Sequence, residues 1–144
     1  MKTLFTTFIT LLVIGPLCVG QSKPTDETFT MENYYKVKWG YAQEFIDLYK
    51  KNHYPLLRRA LEKGDILKIT AEKPRIHDTE EGRWDYKITI VFKNAQAAFD
   101  PDLTEPYKKQ LYPDLERLIK DEQHRFELLI AHWDIPVEKV DLDK

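Results

Sequence analysis

From residue 29 the chain alternates. Phe29, Met31, Tyr35 and Val37 take one parity and Thr30, Glu32, Tyr34, Lys36 and Lys38 the other, the period of a half-buried strand, with only Asn33 polar on the apolar side. Gly40 ends this strand and the period changes. Over residues 42–63, Phe45, Leu48, Tyr49, Leu56, Leu57, Ala60 and Leu61 form one stripe at about 100° per residue. Lys50, Lys51, Arg58, Arg59 and Glu62 lie mostly off that stripe, and Gly64 follows as a helix stop. Two further strands come next. Leu67, Ile69 and Ala71 alternate with Lys68, Thr70 and Glu72 up to Pro74; then Trp84, Tyr86, Ile88, Ile90 and Phe92 alternate with Asp85, Lys87 and Thr89. The charged loop RIHDTEEG between them predicts an antiparallel hairpin with an exposed tip. Asn94 is placed to cap a short helical turn that stops at Asp100-Pro101, and residues 104–123 read as a second helical region broken near Pro113. The run FELLIAHWDI, residues 126–135, predicts a last strand ended by Pro136.

The order strand, helix, strand, strand, helix, strand predicts an α+β fold. In one sheet, βαββαβ gives the ferredoxin-like arrangement: four antiparallel strands with both helices on one face. The other face should not be left to water. In the last strand Leu129, Ala131 and Trp133 oppose Phe126, Leu128 and Ile130, and Val91 faces away from Ile90, so both sides are apolar. A partner sheet from a second copy is the simplest cover, which predicts a symmetric homodimer, a dimeric α/β barrel.

One segment also carries a resemblance. The first strand YYKVK, then Gly40, then Glu44, Phe45, Tyr49, His53, Pro55 and Leu56 on the first helix resemble the dimeric α/β-barrel superfamily, in its EthD-like and antibiotic-biosynthesis-monooxygenase-like branches. The likeness spans residues 29–135. It implies a small homodimer, and its members range over quinone-forming monooxygenases, haem-degrading oxygenases and lactone isomerases. Haem-degrading relatives use a strand asparagine, a strand tryptophan and a histidine on the second helix. Asn33 and Trp84 fit the first two, but residues 104–123 contain no histidine and His124 lies just past them, so no cofactor is expected.

The N-terminus changes where the protein is expected to work. MKTLFTTFITLLVIGPLCVGQ has a basic start at Lys2, an apolar stretch over residues 4–14, a Gly15-Pro16 break, and small residues at Cys18 and Gly20 before Gln21. That is a signal peptide over residues 1–20, its apolar run about half the ~20 residues that span a bilayer. A secreted or periplasmic protein is predicted, with no stable membrane insertion after cleavage. Acylation of Cys18 is the alternative, although Pro16 and Leu17 depart from the small residues that signal favours. Cleavage takes the only cysteine and one of the 22 basic residues, Lys2, leaving 21 against 24 acidic ones. A slightly acidic surface argues against nucleic-acid binding, and no disulfide framework remains. Residues 21–28 form a polar leader, 29–136 one domain and 137–144 a C-terminal tail.

The candidate chemistry centres on His53, which falls on the buried stripe between Tyr49 and Leu57. It is either a core-edge histidine bonded to a backbone carbonyl or to Asn33, or a neutral imidazole lining a pocket and able to act as a general base. Pro55 should kink the helix from its exposed side, freeing the Lys51 carbonyl. Trp84 and Tyr86 with His53 above them make one pocket wall; Asn33, Tyr35, Tyr49 and His132 complete the candidate ligand-binding set, suited to a small aromatic or apolar molecule. His132 is expected to be buried, pairing with Asp134 or Tyr35 or joining His53. His77 and His124 are expected at the surface, and no metal-ligand spacing is present. Nor is there a Ser-His-Asp or Cys-His arrangement, and only 5 glycines occur in the chain, too few to suggest a phosphate-cradling loop.

Overall fold

The computed structural model describes residues 27–76 and 78–143; the expected signal peptide with Cys18, most of the leader, and His77 lie outside the described residues. Strand β1 (Phe29–Val37) is followed by α1 (Ala42–Leu48), a π-helical segment (Tyr49–His53) and α2 (Tyr54–Lys63). Strands β2 (Ile66–Glu72) and β3 (Tyr86–Phe92), a short helix α3 (Ala95–Ala98), helices α4 (Glu105–Leu111) and α5 (Leu115–Glu127), and strand β4 (Leu129–Val137) complete the chain. The four strands form one sheet in the order β2-β3-β1-β4, each pair antiparallel. This is the ferredoxin-like arrangement that the order of elements predicts. The core is the helix-side parity of the strands, chiefly Tyr35, Val37, Tyr86, Ile88, Ile90 and Phe92, packed under Phe45, Tyr49, Leu57 and Ala60.

The local signals work as expected at several points. Gly64 ends α2 with φ +86°, a left-handed conformation that few side-chain-bearing residues adopt. Asn94 caps α3, its side chain accepting from the Ala97 N–H at 2.9 Å, and Asp114 caps α5 through the Arg117 N–H at 2.9 Å. The second helical region does break at Tyr112-Pro113.

Elsewhere the structure departs from the pattern. A bulge between Ile66 and Lys68 puts Ile66 in the core and turns Leu67, expected inward, to solvent. The last strand begins at Leu129, not at residue 126, because α5 runs on through Glu127; a short apolar run suits both periods. Phe126 is therefore an exposed helical residue. Pro136 does not end β4, which reaches Val137; on an edge strand its missing N–H faces no neighbour. A second bulge, at Ile130, sets Val37 opposite Leu129 but Lys36 opposite Ala131. The loop before β3 is anchored rather than only exposed. Arg83, buried, donates to the Val37 carbonyl at 3.0 Å, pairs with Glu80 and Asp85, and lies 4.1 Å over the Trp39 ring.

The first helix also differs from a simple kink at Pro55. Pro55 is half-buried, and the distortion lies upstream, where the Tyr54 N–H reaches five residues back to the Tyr49 carbonyl. Pro55 has no N–H for the Lys51 carbonyl. The Tyr112 hydroxyl supplies the donor instead, 2.9 Å from the Lys51 oxygen and 3.0 Å from that of Asn52.

Candidate functional site

Tyr35 stands at the centre of the helix-side face, paired in register with Tyr86 of β3 and His132 of β4. The Ile130 bulge brings His132 to this face, where its ring stacks on Tyr35 with centroids 4.4 Å apart and planes 9° from parallel. Its Nδ1 lies 3.0 Å from the Tyr34 carbonyl and its Nε2 3.5 Å from Asp134. His132 is thus fixed by both pairings considered for it, but it is exposed, not buried. The reason is the layer above: α5 packs on α1 and the π segment, and leaves the helix side of β4 at His132, Asp134 and Pro136 open. His132 therefore lies at an open sheet edge.

The helices supply the wall. Tyr49 is fully buried, its ring edge-on to Tyr35 at 5.9 Å and to Tyr86 at 5.5 Å. One turn on, His53 meets Tyr49 edge-to-face at 5.0 Å. His53 is half-buried, and no described residue hydrogen-bonds its ring. Neither the backbone carbonyl nor the Asn33 bond expected for it is formed. Asn33 donates to the Ile88 carbonyl at 3.1 Å instead. The fully buried polar residue of this segment is Asn52, because the α4–α5 connection, with Tyr112, covers its flank; one helix's period cannot reveal that.

Burial holds the His53 pKa down to about 4, and the electrostatic influence of Arg125, then of Lys108 and His132, adds to it. His53 is therefore a neutral imidazole at neutral pH. Burial likewise raises the phenols of Tyr35, Tyr49 and Tyr86, so all three remain protonated donors.

Arg125 of α5 is the residue that sequence reasoning missed. It is 3% exposed, its guanidinium carbon 5.7 Å from the ring centres of Phe45 and Tyr49 and 4.6 Å from that of Phe126. Its Nε has no hydrogen-bond partner, and it forms no ion pair among the described residues. Burial lowers its pKa, opposed by Tyr35, Glu122 and Tyr49. In DEQHRF it reads as one of several exposed helix-end charges.

Trp84 does not join this site. It precedes β3, the chain bends at Asp85, whose carboxylate accepts from the Val37 N–H at 2.8 Å, and the indole crosses to the opposite face. There it meets Tyr34 edge-on at 5.8 Å, while Tyr34 stacks on Trp133 at 5.4 Å. A cavity of about 250 Å³ adjoins Trp84, Ile46 and Pro74, and a larger one of about 600 Å³ lies at the far end of the sheet between Phe29, Val91 and Val137. No group of acidic, histidine or cysteine side chains among the described residues is arranged to hold a metal ion. No described helix is long and apolar enough to cross a membrane.

No protein-family model matches the chain, and no curated protein matches it in sequence. Solved structures do match in shape. A dimeric ferredoxin-like protein from an uncultured marine organism aligns over 81% of this chain and 94% of its own, at 7% identity and a TM-score of 0.51. The fold is ferredoxin-like. An Arabidopsis thaliana protein (12% identity, 79% of this chain and 97% of that one, TM-score 0.49) and a cofactor-independent oxygenase from Streptomyces nogalater (13%, 81% and 98%, 0.45) are also similar. At such identities the likeness is one of fold alone.

Proposed function

We propose that the protein is an exported homodimer that binds a small planar aromatic molecule beside His53 and His132, with His53 as the proton-accepting group of a cofactor-free reaction. One observation carries the site. His53 and Arg125 both stand against the buried Tyr49 ring without a protein hydrogen-bond partner, where polar groups ordinarily find one. The Tyr35–His132 stack beside them offers a flat aromatic surface. A resting pKa of about 4 makes His53 a weak base, so binding comes first and proton transfer needs the ligand to change the field around it.

The dimer rests on the opposite face. Trp133, Ile135 and Val137 are 37%, 42% and 38% exposed there, beside Tyr34 and Trp84. Three charges on that face are already paired, Lys87 with Glu72 at 2.6 Å and with Glu32 at 3.4 Å, so a second sheet can cover these without stranding them. A similarly folded protein is described as dimeric, which supports the reading. Export rests on the signal-peptide pattern alone. A native mass spectrum of the protein taken from its own compartment tests all three parts: a dimer, a start at Gln21, and a small molecule carried by the wild type and lost in His53→Ala. A monomer, an uncleaved chain, or a ligand retained by His53→Ala would each overturn the corresponding part.

A further inference from the structure

We propose that the site beside His53 selects a small aromatic carboxylate, its anion seated against Arg125 and its ring against the exposed His132 of the Tyr35–His132 stack. This deepens the binding reading above and rests on it. A guanidinium 3% exposed with an unpaired Nε is costly unless something meets it, because burying a charge without a counter-charge is among the most unfavourable events in folding. Three aromatic rings surround Arg125 and offset part of that cost, but ring faces accept no N–H bonds of ordinary strength. Glu122, three residues earlier on the same helix, acts on Arg125 at a distance without forming an ion pair. The neighbouring cation Lys51 is already held by Asp121 at 2.6 Å. The planar fork of guanidinium donors matches a carboxylate, which accepts two parallel N–H bonds.

The anion would also alter His53. The groups acting on that imidazole are Arg125 from α5, Lys108 from α4 and His132 from β4, with Tyr49 from its own segment touching it. All three act against protonation of His53. A carboxylate at Arg125 neutralises the first-named of these charges, while Lys108, His132 and the burial itself remain. The His53 midpoint would therefore rise from its resting value when an anionic ligand is present.

The test compares 2-naphthoate with 2-naphthamide on the full mature protein, by calorimetry and by NMR titration of the histidines. The expected result is that the acid binds about tenfold or more tightly than the amide, that the His53 midpoint rises in its presence, and that Arg125→Met removes the preference. The wild-type comparison stands even if Arg125→Met fails to fold. Equal binding of acid and amide with an unmoved His53 would overturn the carboxylate and leave the aromatic site standing. Binding of neither at millimolar concentration would overturn both.

Discussion

Between pH 8 and pH 5 the folded protein should lose about 2 kcal/mol of stability through His53 alone. An unfolded histidine titrates near 6.5, whereas His53 in the fold is held down to about 4. The unfolded state therefore binds the proton first. Stability due to this group is complete above the unfolded value and falls as the pH drops toward the folded one. Integrating proton uptake from 8 to 5 between those two values gives about 2 kcal/mol, with a ceiling of about 3 kcal/mol below pH 4. His53→Phe removes the titration while keeping a ring to meet Tyr49 edge-on, as the imidazole does at 5.0 Å. Urea unfolding followed by tryptophan fluorescence, at pH 8 and pH 5 and one protein concentration, gives the quantity for each protein. Titrations shared by both proteins cancel in the difference. The wild type should lose about 2 kcal/mol more than the variant. Equal losses would mean that His53 is not desolvated, and the account of the site would fail with it.

Tyr112→Phe should cost about 1 kcal/mol, the worth of one hydrogen bond, and should speed amide exchange in the π segment. With Pro55→Ala present the cost should shrink, because the new N–H can serve the Lys51 carbonyl that Tyr112 now meets at 2.9 Å; an unchanged cost would separate the two residues. The exposed pair His124–Glu44, 2.7 Å apart, ties α5 to α1. Glu44 raises the His124 pKa, so whatever the pair contributes is fully present below pH ~6.5 and disappears as the pH rises through the folded value. An NMR titration should find the His124 midpoint lower in Glu44→Gln and in high salt; no change in either would remove the ion pair.

The sheet and its helices are legible because each element repeats its period over enough residues. β3 follows strict alternation, with Tyr86, Ile88, Ile90 and Phe92 all buried. What escapes is whatever depends on a single inserted residue or on a second layer. The bulges at Leu67 and Ile130 leave no mark in the pattern of apolar positions. Trp84 has the parity of Tyr86 in the sequence, yet the bend at Asp85 sends it across the sheet. Arg83 and Arg125 look like surface charges because nothing local says which aromatic rings will close over them. His53 was legible as a position but not in its surroundings, which come from α4, α5 and β4 as well as from its own helix.

The irregular features are concentrated at the site. A one-residue change of register exchanges faces: if Ile130 paired opposite Lys36 instead of bulging, Trp133 would turn toward the helices and His132 toward the outer sheet. The bulge therefore does two jobs at once, stacking His132 on Tyr35 and leaving Trp133 to stack on Tyr34 for a partner copy. Pro55 has a comparable effect on the wall. By withholding one N–H it permits the widened turn, and the Tyr112 hydroxyl then ties that turn to the connection between α4 and α5. α5 carries Arg125, and α4 carries the Lys108 that opposes charge on His53. The proline beside the histidine is thus no neutral neighbour. It recruits the helices that make His53 a neutral imidazole facing an unpaired arginine, which is the arrangement that the ligand and pH experiments interrogate.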